Sequence, residues 1–270
     1  MRAASSLLAG RLAATLAGGR KLLVPFVTAG FPDAAATGRL LAGLAGAGAD
    51  AIELGVPFSD PLADGPVIAA ASERALAGGM TLSRAIAIGG RYAAQEPSPE
   101  GRPPLVLFTY LNPFAAPGVR AAAEACRDAG FGGVLVADLP FDEDPDLAAE
   151  LAAVGLPRIR LAAPTTPPAR LVELARGAEG FVYLIARTGV TGSGAGADRR
   201  LAEQVATIRA TTDVPVVVGF GIEDADGARR AADLADGVVV GTALVRRLEM
   251  EGEEAALGWF RGLRASLDAG

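Results

Sequence analysis

Short apolar runs rich in β-branched residues alternate with longer Ala/Leu-rich runs along the whole chain, and that alternation leaves few folds open. The strand-like runs are Leu22–Thr28, Ala51–Gly55, Leu105–Thr109, Gly133–Ala137, Arg158–Leu161, Phe181–Ile185, Pro215–Gly219 and Gly237–Val240. Helical patterns lie between them over Ala35–Ala45, Gly118–Ala129, Pro145–Ala153, Pro168–Arg176, Arg200–Ala210 and Ala225–Leu234. Strands that alternate with helices pack as right-handed βαβ units on a parallel sheet. About eight units in 270 residues favour a closed barrel over an open doubly wound sheet. No GxGxxG follows the first strand, which weakens a dinucleotide-binding fold further. The expectation is an α/β chain: a single (β/α)8 TIM barrel over residues 1–270 with an extra N-terminal helix. That helix is read from Leu8, Leu12 and Leu16, which recur on one face. Residues 1–32 lack acidic side chains, as a transit peptide does, but the leucine spacing favours a helix packed on the body.

The missing residue types restrict the chemistry. The chain has no histidine, one lysine (Lys21) and one cysteine (Cys126). Imidazole bases, His or Cys metal clusters and Ser-His-Asp triads are therefore excluded, and imine chemistry is confined to one side chain. Catalysis must rest on carboxylates, hydroxyls, arginines and backbone dipoles, with no metal expected. Cys126 lies in a helical run, where a small structural thiol is the simplest reading; a single cysteine suits a reducing compartment such as the cytoplasm. A net charge of −6 without a basic cluster argues against nucleic acid and anionic membranes as partners. The longest uncharged run, residues 103–119, carries four prolines and falls short of a membrane span.

Within Ala51–Gly55, strand alternation puts Ala51, Glu53 and Gly55 on one face and Ile52 and Leu54 on the other. Glu53 would then point into the barrel near a C-terminal strand end, where desolvation raises a carboxyl pKa. A buried structural ion pair is the alternative for Glu53. Asp64 follows in a proline-stiffened loop, where it could be catalytic or a helix N-cap; Asp60 could simply form an Asx-turn before Pro61. Two connections, Val56–Pro66 and Arg187–Asp198, are longer than barrel loops need, and both follow strands on the side where barrel active sites are built.

The stretch Glu53-Leu-Gly-Val-Pro-Phe-Ser-Asp-Pro-Leu-Ala-Asp-Gly-Pro66 resembles the signature of the tryptophan synthase alpha chain family. Pro25-Phe-Val-Thr-Ala-Gly30, Val136-Ala-Asp-Leu-Pro140, Arg187-Thr-Gly-Val-Thr-Gly192, Gly219-Phe-Gly-Ile222 and Gly241-Thr-Ala243 match it in the same order along nearly the whole chain. The resemblance implies a lyase that cleaves indole-3-glycerol phosphate into indole and glyceraldehyde 3-phosphate in tryptophan biosynthesis. It also implies that Glu53 is the general acid/base and that Asp64 bonds the indole N–H and stabilises the charge developing there. No cofactor is expected in this chain; pyridoxal phosphate belongs on a partner beta subunit in an alpha2beta2 heterotetramer. Alternatives are a free-standing indole-releasing lyase, another phosphate-binding barrel and a catalytically retired regulatory barrel.

Glycines after strands seven and eight suit a phosphate cradle, although they also serve as ordinary turns. The cradle residues expected are Gly192, Gly221, Gly241 and Thr242, with Thr242 standing where the family usually has serine. The resemblance further implies that Phe26 and Tyr110 lie near the indole ring and that Tyr183 sits beside the catalytic glutamate. Thr191 would clasp the catalytic aspartate in a loop that Arg187 begins. Pro57, Asp60, Asn112 and Pro140 match the family's partner interface.

Overall fold

The structure, a computed structural model, describes residues 4–95, 101–186, 195–219 and 221–269. Helix α1 (Ala4–Ala17) is followed by β1 (Leu22–Thr28), α2 (Ala34–Gly46), β2 (Ile52–Gly55), α3 (Pro66–Ala77) and α4 (Leu82–Ala93). Next come β3 (Leu105–Thr109), α5 (Leu111–Ala115), α6 (Val119–Asp128), β4 (Gly133–Val136) and α7 (Pro145–Val154). The second half runs β5 (Arg160–Ala162), α8 (Pro168–Arg176), β6 (Val182–Ile185), α9 (Ala195–Arg209), β7 (Val216–Gly219) and α10 (Ala225–Leu234). It ends with β8 (Gly237–Val240), α11 (Thr242–Glu251) and α12 (Glu253–Asp268).

The strands pair in parallel in the order β4-β3-β2-β1-β8-β7-β6-β5. One bridge between Val134 of β4 and Arg158, just ahead of β5, closes the ring. Across it the Val134 N–H donates to Pro157 O at 2.8 Å and the Ile159 N–H to Val134 O at 2.8 Å. The result is a (β/α)8 barrel with its strand edges paired. Alternation sorts the side chains as expected. Leu22, Val24, Phe26, Val106, Leu135, Phe181, Val217 and Val239 fill the barrel interior, whereas Leu23, Val27, Ile52, Leu54, Leu107 and Val136 face the helices.

The expected N-terminal helix packs into this interior cluster. Leu8 and Leu12 are fully buried there with Leu22, Ile159 and Phe181, and Leu16 is half-buried beside them. Burying each of the first two leucines stabilises the fold by roughly 2 kcal/mol. Helix α1 thus covers the end of the barrel where the strands start, and the opposite end stays open.

Two aspartates tie down the strand starts. Asp50 is fully buried and accepts from Leu23 N at 3.0 Å, Thr15 Oγ1 at 2.9 Å and Arg264 Nη1 at 3.1 Å, joining α1, β1, β2 and α12. Asp236, just before β8, accepts from Val216 N at 2.8 Å and Arg209 Nη2 at 2.6 Å. Each carboxylate fills a gap where a ladder begins and a backbone donor lacks its partner.

Candidate active site

At the C-terminal end of the strands lies a cleft of about 430 Å³ walled by residues from all eight barrel strands or the loops that follow them. Phe26, Phe108, Leu161, Ile68 and Val239 give it apolar sides, and Glu53, Asp64, Tyr183 and Thr242 give it polar groups. A larger groove of about 700 Å³ on the same rim has no ionisable side chain among its lining residues.

Glu53 reaches the cleft because β2 alternates inward at that position. It is fully buried, and neither carboxyl oxygen has a hydrogen-bond partner among the described residues. The buried ion pair that its strand position leaves open is absent among those residues. Desolvation alone pushes its pKa up to about 8, so the carboxyl is mostly protonated at neutral pH. The neighbouring Gly55 leaves space that the Phe26 ring occupies.

Asp64 is half-buried in the loop after β2, ahead of α3. It is not the helix N-cap; Gly65 takes that position without a side-chain capping bond, and Pro66 follows in the first turn. Backbone turns shape the loop, with Leu62 N donating to Asp60 O at 2.9 Å and Asp64 N to Pro61 O at 3.1 Å. Burial lifts the Asp64 pKa to about 6, opposed by a hydrogen bond from Tyr110. The two carboxyls therefore straddle neutrality, one favouring its acid form and the other its anion. Burial, together with the charges of Glu53 and Asp64, raises the pKa of the Tyr183 hydroxyl well above that of free tyrosine.

Phe26 and Phe108 meet edge to face at 5.2 Å and 83°, forming an aromatic wall. Phe108 carries no motif that marks it in the sequence, although the parity of β3 puts it on the inward face with Val106. Tyr110 is 2% exposed and does not line the cleft. Its ring packs on Phe58 at 5.1 Å, and its hydroxyl accepts from Ala63 N at 3.1 Å.

Across the cleft from β2, Gly221 has φ +57, in the left-handed region. Gly241 is the N-cap of α11 and has no side chain to cap it, so the first-turn N–H groups receive no capping bond from that residue. A Cβ at Gly241 would press on Phe26 Cβ at 3.3 Å. Gly221, Gly241 and Thr242 all line the cleft, and this positive end of a helix suits an anion. Arg187, Thr191 and Gly192 lie outside the described residues. Lys21 stands at the other end of the barrel, before β1, with its Nζ donating to Ala235 O at 2.9 Å. Asp60 and Pro140 are exposed on loops of the cleft rim and Asn112 is exposed on α5, whereas Pro57 is buried and borders the 700 Å³ groove.

A family model for the tryptophan synthase alpha chain matches residues 12–261. A tryptophan synthase alpha chain from Laribacter hongkongensis is 47% identical over 262 residues, covering 96% of this chain and 98% of the relative. One from Dechloromonas aromatica is 46% identical over 252 residues, covering 93% and 92%. Among solved structures, the tryptophan synthase alpha chain of Legionella pneumophila superposes with a TM-score of 0.85 at 30% identity, covering 97% of each chain. A chain of tryptophan synthase from M. tuberculosis in its aminoacrylate-bound form gives 0.86 at 33% identity, covering 97% of this chain and 99% of that one.

Proposed function

This chain belongs to the tryptophan synthase alpha chain family, and we propose that its Glu53 and Asp64 carry out the family's cleavage of indole-3-glycerol phosphate. The observation that carries this reading is the pair of carboxyls in one cleft, pushed by their surroundings to about 8 and about 6. Protonated Glu53 gives its proton to indole C3, which turns the ring into an indoleninium. The C–C bond to the glycerol carbon then breaks, and its electrons flow into the C=N+ group. The hydroxyl on that carbon loses its proton to the Glu53 carboxylate as the aldehyde forms, which restores the acid. Asp64 stays ionised, accepts from the indole N–H and stabilises the positive charge. Neither metal nor imine is needed, because the substrate supplies its own electron sink.

Phe26 and Phe108 would hold the indole ring. Gly221, Gly241 and Thr242, with Gly192 from the sequence, would bind the phosphate through backbone N–H groups and the α11 dipole. Residues 1–270 would act as one catalytic domain in the cytoplasm, with no cofactor of their own. Pyridoxal phosphate would sit on a beta subunit that docks on the rim at Pro57, Asp60, Asn112 and Pro140. The test is indole release from indole-3-glycerol phosphate by the wild type, Glu53→Gln and Asp64→Asn. Glu53→Gln should abolish turnover in a folded protein, and Asp64→Asn should reduce it severely. Near-normal turnover in folded Glu53→Gln would overturn the assignment.

A further inference from the structure

Asp64 stands on a loop whose tip is open to solvent: Leu62, two residues earlier, is 94% exposed. Its carboxylate does not cap α3, and turn bonds fix only the backbone before it. A catalytic carboxylate that must meet a flat ring edge needs a side-chain orientation as well as a backbone position.

Directly behind the loop is Tyr110, the residue that follows β3. Tyr110 is itself well held. Its backbone is the N-cap of α5, the next amide, Leu111 N, donates to Asp138 Oδ1 at 2.8 Å, and its ring packs on Phe58. The hydroxyl oxygen accepts from Ala63 N at 3.1 Å. A phenol can accept and donate at once, so its own proton remains available to the carboxylate of Asp64, the residue next to Ala63, and that proton holds the Asp64 pKa down. One rigid hydroxyl thus grips the backbone of residue 63, one residue before the Asp64 carboxylate.

We infer that Tyr110 is a positioning residue, whose hydroxyl locks the loop after β2 so that the Asp64 carboxylate faces the cleft in the orientation that receives the substrate's N–H. This assignment rests on the function proposed above and moves Tyr110 from the cleft wall to the support behind it. The hydroxyl proton also favours the carboxylate over the acid, which matters because Glu53 in β2 and Tyr183 in β6, the ionisable groups that share the cleft with it among the described residues, carry no positive charge. Without the hydroxyl, Asp64 would wander and hold its proton to higher pH.

The decisive variant is Tyr110→Phe in the full chain, which keeps the ring and removes one oxygen. The Asp64 titration is followed by carbon NMR of labelled aspartate, assigned by the signal lost in Asp64→Asn. The midpoint should rise by about one pH unit in Tyr110→Phe. Turnover of indole-3-glycerol phosphate should fall on the order of tenfold in kcat with KM nearly unchanged, as for an interaction that matters in the transition state. On the Asp64→Asn background the same change should cost nothing further, because Tyr110 acts through Asp64. An unmoved Asp64 midpoint, a raised KM with normal kcat, or losses that multiply in the double variant would each overturn the inference. If Tyr110→Phe fails to fold, 3-fluorotyrosine at position 110 replaces it; the more acidic phenol should lower the Asp64 midpoint, and no movement would refute the link. The titration needs no substrate, so a wild type that releases no indole would defeat the proposed function, while the Asp64 midpoint would still decide the Tyr110–Asp64 link.

Discussion

Burying a glutamate without a partner makes its proton hard to remove, and Glu53 is in that position. Its folded pKa of about 8 lies above the ordinary value of 4.5, so the folded state binds a proton that the unfolded state releases between those values. Stability is therefore fully present below about 4.5 and is lost as pH rises through about 8. Glu53→Gln carries no such proton. Its Tm relative to wild type should climb between pH 5 and pH 8.5, by an amount on the order of a few kcal/mol in stability. Calorimetry at the two pH values checks this, and a constant offset would contradict it. The same two groups set the expected rate profile. Cleavage requires protonated Glu53 and ionised Asp64, so kcat/KM should rise as pH passes about 6 and fall as it passes about 8. A profile flat from pH 5 to 9 would show that other groups carry the protons.

At the scale of elements, the starts of β1 and β7 depend on the carboxylates of Asp50 and Asp236 as much as on apolar packing. Asp50→Ala removes the acceptor shared by Leu23 N, Thr15 and Arg264, and leaves Arg264 short of its buried counter-charge. The expected cost is about 3 kcal/mol in urea unfolding, with turnover per folded molecule retained because Asp50 lies at the barrel end opposite the cleft. Asp50→Asn, which keeps an acceptor oxygen, should cost less. Several elements are legible in the sequence to the residue: β1, β3, β8, α8 and α10 have the boundaries their patterns announce. Others are not. Arg158 reads as the start of a strand, yet β5 begins at Arg160, because the backbone at Arg158 meets β4 in a single isolated bridge and not in a ladder, while its guanidinium donates to the carbonyls of Leu139, Pro140 and Phe141. Helix α4 is hidden because Gly89 and Gly90 weaken its pattern; at Gly89 the Phe131 ring occupies the space of a Cβ. In the site, Glu53 is legible because alternation within one strand fixes its direction. The Phe26–Phe108 wall and the Tyr110 support depend on which residues of different strands share a layer, and no local pattern encodes that.

The whole molecule presents a rim with Asp60, Asn112 and Pro140 exposed beside an apolar groove of about 700 Å³ that includes Pro57, Phe58 and Pro113. A partner seated there would touch the loop that carries Asp64 and bias it toward its working state. Titration with a beta subunit should raise indole-3-glycerol phosphate cleavage about tenfold or more, equivalent to at least ~1.4 kcal/mol; a fast rate that stays flat across the titration would favour a lyase that works alone. The β4–β5 closure determines how the barrel would bear such a load. Neighbouring strands elsewhere are zipped by ladders of several residues, including β1 to β8, which lies between the Glu53 strand and the glycines opposite it. The Val134–Arg158 bridge is a single clasp on the far side of the ring. A ring with one soft joint flexes there first, so a push on the rim is absorbed at the clasp while the span from acid to phosphate cradle keeps its gauge.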